Sequence, residues 1–133
     1  MARLISSLTK AVRPVCHHDG VNHWLDDVVF PASWIDLRGY SVKDAEARKR
    51  ISKELRRELG RKHVLRPTIW HVAAMWQPQD DVLLALDDGR AAIVHLTFAH
   101  HPEPPPWPNT EIFPTLADLE AAFTEREELM RDE

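Results

Sequence analysis

The sequence contains a single cysteine, Cys16, so no disulfide can close within the chain and no CxxC pair is available to a metal or a redox centre. A reducing, cytoplasmic setting is the natural expectation. No apolar run approaches the roughly 18 residues that a transmembrane helix requires, so no membrane partner is expected. The opening residues, with Arg3 and Lys10 set around Leu4, Ile5 and Leu8, are too short and too polar for a secretory signal. A nucleophile elbow, a P-loop, a GxGxxG turn and an HExxH motif are all missing, which weighs against most enzyme classes. No internal repeat is present. Nor is there an overall positive charge: 17 basic residues face 21 acidic ones, net −4, so the whole molecule does not attract nucleic acid.

What the 133 residues do carry is an ordinary globular balance, 44% apolar and 29% charged, with charge sorted along the chain. At this length folding buries roughly two-thirds of the exposed surface, enough for a core without metal or disulfide staples. Residues 43–66 hold ten basic and four acidic residues, whereas residues 103–133 hold two basic and nine acidic ones. Both segments read as helices. Ala47, Ile51, Leu55 and Leu59 recur every four residues and predict a helix over about 44–59, with Ser41 or Asp44 capping its start and Gly60 its end. Thr115 with Asp118 resembles a capping box and predicts a second helix over about 116–130, with Leu116, Leu119, Phe123 and Met130 inward.

Between them, Val82–Leu86 and Ala91–Phe98 flank Asp87-Asp88-Gly89-Arg90, the pattern of a β-hairpin turning on glycine. Strands are expected at about 68–76, 81–87 and 91–98. In the first, Trp70, Val72, Ala74 and Trp76 alternate onto one face. The link through Gln77-Pro78-Gln79-Asp80 is too short for a parallel crossover, so the strands form an antiparallel meander. Prolines 102, 104, 105, 106, 108 and 114 make residues 99–114 a stiff connector. The expected fold class is α+β: a three-stranded antiparallel meander flanked by two helices, α-β-β-β-α. Residues 41–133 form this domain, and residues 1–40 a less regular extension, weakly structured or packed on the core, with a weakly extended stretch over 28–37.

Several residues are chemically suggestive. Cys16, His17, His18 and His23 are the densest set of metal-ligand types, but their spacing matches no familiar closed site, so no metal and no cofactor are expected. His71, His95 and Asp81 lie in or beside predicted strands and form an acid–base or metal-dependent hydrolase-like site only if the register gathers them. Trp107, held by its prolines, is a candidate anchor for a partner; folding back over the sheet is the commoner fate of so large a ring. Lys49, Lys53, Arg56 and Arg57 offer a basic face to phosphates or to an acidic protein surface. Packing against the acidic helix, within one molecule or between two copies, neutralises both excesses.

At Asp80-Asp81-Val82-Leu83-Leu84-Ala85-Leu86-Asp87-Asp88-Gly89, Val94-His95-Leu96-Thr97-Phe98 and Pro106-Trp107-Pro108, the chain resembles small bacterial proteins of uncharacterised function. The resemblance covers about residues 45–123 and implies a compact bacterial domain, with no activity attached. The expectation that follows is a non-enzymatic interaction module, binding a protein partner or a second copy of itself through Trp107 or the basic helix. Its rivals are the small enzyme and a nucleic-acid-binding accessory protein.

Overall fold

The computed structural model describes residues 23–131. Five antiparallel strands lie in sequence order across one sheet: β1 (Ile35–Asp36), β2 (Trp70–Trp76), β3 (Asp81–Leu86), β4 (Ala91–His95) and β5 (Thr110–Phe113). Helix α1 (Val42–Glu58) covers one face and α2 (Leu116–Arg131) the other. The α+β class holds, but the three-stranded meander is corrected to five strands. Each added edge strand is short. β1 is two residues long, and β5 arises inside the proline-rich connector, where Pro108 and Pro114 bracket Thr-Glu-Ile-Phe without removing a donor from it.

The hairpin forms in the expected register, Asp81 opposite His95 and Ala85 opposite Ala91, with Gly89 at φ +95° in the turn. β3 is buried along its whole length. Its alternation therefore divides the core into two layers. Val82, Leu84 and Leu86 meet Leu55 of α1, and Leu83 and Ala85 share a cluster with Leu119, Ala122 and Phe123 of α2.

In β2 the expected single face is wrong. The register shifts between Val72 and Ala74, one residue being extra, so Trp70 and Val72 join the α1 layer while Ala74 and Trp76 join the α2 layer. Strand β4 stops at His95 rather than 98, because Phe98 and His100 take positive φ (56° and 64°) and turn the chain away.

Ser41 caps α1, accepting from the Asp44 N–H at 3.0 Å. Its other end is Leu59, whose carbonyl accepts from Arg66 at 2.7 Å, so Gly60 is not the cap. Gly60 serves a close approach instead: a Cβ there would lie 2.9 Å from the Glu103 carbonyl oxygen. At α2, the Asp118 N–H donates to Thr115 Oγ1 at 3.3 Å, and the hydroxyl donates back to the Asp118 carboxylate at 2.9 Å.

Residues 23–40 contribute Leu25, Trp34 and Leu37 to the core as well as strand β1. Buried Arg38 ties this segment down. It donates to the carbonyls of Leu25 (2.7 Å) and Val28 (2.8 Å), grips Asp36 with two nitrogens and lies over the Phe30 ring. Burial raises the Asp36 carboxyl, but the Arg38 hydrogen bonds outweigh it and hold the group below its ordinary value. Arg38→Met should cost about 2–3 kcal/mol, because three backbone and carboxylate acceptors lose a charged donor. Urea unfolding measures the loss, and faster proteolysis within residues 23–30 should accompany it.

Among the described residues no helix is long and apolar enough to cross a membrane.

Candidate functional site

The loop after β4 is fastened to α1 by two carboxylates one helical turn apart. Glu58, fully buried, accepts the backbone N–H of Thr97 at 3.0 Å and of Phe98 at 2.8 Å. Glu54, also buried, accepts the N–H of His100 at 3.1 Å and lies 2.7 Å from its ring Nδ1. A spacing of four puts both side chains on one helix face, aimed at the same stretch of loop. Burial, together with its hydrogen bond to Glu54, pushes the Glu58 carboxyl above its ordinary value. The same bond, then that of His100, holds Glu54 low despite burial. Of the two, Glu58 is therefore the one that keeps its proton to higher pH.

Further along, the Glu103 N–H donates to the Glu58 carbonyl at 3.0 Å. His63 then fixes the proline run: its Nδ1 accepts from the Leu65 N–H at 3.0 Å, so its Nε2 carries the proton and donates to the Pro108 carbonyl at 2.9 Å. This clamping holds Phe98 and His100 in a backbone region that non-glycine residues seldom occupy. It also leaves Phe98 46% and Trp107 43% exposed, so Trp107 is not folded away under the sheet.

Phe98 and His100 form one wall of a groove of about 870 Å³ beside α1. Leu37, Ala47, Ile51 and Met75 give it an apolar lining. Lys43, Arg50, Lys53 and Arg57 stand around it, with Asp44, Glu46 and the already engaged Glu54 as the acidic members. Its volume lies within the range of ligand clefts, but charged side chains make up nearly half of its lining. Lys53 and Arg57, expected as binding residues, line this groove; Lys49 is exposed on α1, and Arg56 lies 5.2 Å from the centre of the Trp70 ring beside a smaller hollow. α2 lies on the opposite face of the sheet, so the basic and acidic helices do not neutralise each other within one molecule.

The other candidates are placed as follows. His95 Nδ1 lies 3.2 Å from Asp81 Oδ1, and the other Asp81 oxygen accepts from Arg126 Nε at 3.0 Å; Arg126 in turn approaches Glu111 at 3.5 Å. His71 does not join them. It sits opposite Ala85, four positions along β3 and so roughly 13 Å away, with Asp87 at 3.3 Å. Cys16, His17 and His18 lie outside the described residues. His23 spends both ring nitrogens on the fold, Nδ1 accepting from the Leu25 N–H and Nε2 bonding the Arg90 carbonyl. Among the described residues no three His, Cys, Asp or Glu side chains are grouped to hold a metal.

Sequence reasoning missed Glu54, Glu58, Phe98 and Arg126. The signal for the first two was present: Glu54 and Glu58 are the only acids in the second half of an otherwise basic helix, on the flank of its apolar stripe. No protein-family model, curated protein or solved structure gives a significant match to the chain.

Proposed function

We propose that the protein is a non-enzymatic interaction module of the reducing cytoplasm whose working surface is the α1 groove, and that it binds an acidic, apolar-faced protein segment there. The groove carries this reading: an apolar lining bordered by four cations, against Asp44 and Glu46 and with Glu54 turned to the loop, suits a helix with one greasy and one acidic side. A rigid loop supplies its wall, so little ordering entropy is lost when a partner docks. Binding of nucleic acid is the second reading, favoured by the exposed positions of Lys49, Arg56 and Arg57 on α1.

A designed Leu/Glu amphipathic helix and a short DNA duplex, both fluorescently labelled, separate the two. Anisotropy at physiological salt should show binding of the peptide. Arg50→Glu with Lys53→Glu should weaken it roughly tenfold, taking about 0.5–1 kcal/mol for each rim charge. Binding of the duplex alone, falling steeply with salt, would overturn the reading in favour of phosphate contacts.

A further inference from the structure

We propose that the segment this groove takes is the last turn of α2 from a second copy, so that molecules join head to tail. The inference rests on the groove being a protein-binding site and adds the identity of its occupant.

The end of α2 is left uncovered in a particular way. Leu119, Phe123 and Arg126 are buried at helical spacing, and Met130 continues the same stripe, yet it is 42% exposed, with Leu129 beside it at 46%. An inward-facing position that stays exposed means the helix runs on past the surface it covers. Around this apolar tip stand Glu125 and Glu128, with Arg131 beside them and Asp132 and Glu133 following in the sequence, while Glu127 is already engaged by the Ser33 hydroxyl. The tip is therefore apolar with a net acidic surround, complementary to a groove whose apolar lining is bordered by four cations against Asp44 and Glu46.

The alternatives within the chain fit less well. A molecule's own α2 lies across the sheet from its groove. Residues 1–22 carry Arg3, Lys10 and Arg13 against Asp19 alone, the wrong sign for a rim of Lys43, Arg50, Lys53 and Arg57.

Because tip and groove are different surfaces on opposite faces, the contact is heterologous. Each molecule that docks its tip still offers an empty groove, so growth continues unless a ring closes. A closed two-fold dimer is not expected. A contact made by one helical turn is small, and association should be weak and concentration-dependent.

Sedimentation velocity over a concentration series tests this with the full chain. Wild type should grow past the dimer as concentration rises and shrink back with added salt. Leu129→Glu with Met130→Glu (tip) and Arg50→Glu with Lys53→Glu (groove) should each remove the oligomers, lowering their fraction about tenfold or more, without changing the thermal melt, since all four residues are exposed. An equimolar mixture of the two variants retains one intact tip and one intact groove, and should form a one-to-one complex that grows no further. A wild type that is monomeric throughout, or a dimer that saturates and ignores the tip substitutions, overturns the proposal. In that case binding of the labelled Leu/Glu peptide tells which idea has failed: peptide bound with no oligomer removes α2 as occupant and keeps the groove, and peptide unbound removes both.

Discussion

Glu58→Ala should destabilise the protein by about 2–4 kcal/mol, measured by urea unfolding. The substitution strips the acceptor from the Thr97 and Phe98 N–H groups, and an orphaned donor costs about 1–3 kcal/mol. It also opens a void at a fully buried position. Glu58→Gln should be milder but not silent: it leaves no void, yet its one acceptor oxygen can serve only one of the Thr97 and Phe98 N–H groups, which bond different carboxylate oxygens. The pH dependence gives the finer test. Glu58 is raised in the folded protein, so the native state holds a proton that the unfolded chain has released, and this contribution is present below the ordinary glutamate value and lost as pH climbs through the raised one. Glu54 is lowered, so its contribution is present above the ordinary value and lost as pH falls below it. Wild-type stability should therefore decline with rising pH just above the usual carboxylate range, and the Gln variant should not show that decline. Equal slopes in the two proteins would show that Glu58 is ionised throughout.

Asp81→Ala should cost about 3–5 kcal/mol, the range for leaving a buried charge without its partner. Arg126 is only 8% exposed, packed near the Trp76 ring, and its remaining carboxylate, Glu111, stands at 3.5 Å on the surface. Asp81→Ala with Arg126→Met removes both charges together and should recover a large share of the loss. A double-mutant cycle gives the coupling. If the double variant is as unstable as the single one, the ion pair is not what makes Asp81 important, and its link to His95 becomes the feature to pursue.

Local rules carried the fold a good distance. The Asp-Asp-Gly-Arg turn between two apolar runs, the Ser41 cap and the Thr115–Asp118 pair act within a few residues of themselves, and each forms where those residues stand. What was illegible depends on partners distant in sequence. β1 and β5 are too short to show a period; they exist because β2 and β4 offer open edges. The shift between Val72 and Ala74 satisfies strict alternation on either side and breaks it only in between, so counting by twos carries Trp76 to the wrong layer. Glu54 and Glu58 look like two more charges on a solvated helix until the loop some forty residues later supplies their donors. At the candidate hydrolase site, the hairpin register brought His95 to Asp81, but the same register carried His71 toward the turn, and no count along the chain reveals that before the strands are paired.

The shift in β2 also distributes the protein's chromophores. Trp70 faces the α1 layer beneath Arg56, whereas Trp34 and Trp76 stack in the α2 layer with ring planes 28° apart and centres 6.4 Å apart. Each side of the sheet thus carries its own optical reporter. Near-ultraviolet circular dichroism is weighted toward the coupled Trp34–Trp76 pair, while the fluorescence lost on Trp70→Phe isolates the contribution of the side that bears the groove. Coincident melts would mark the two layers as one cooperative unit, and a docking event confined to α1 would change the second signal while leaving the first still.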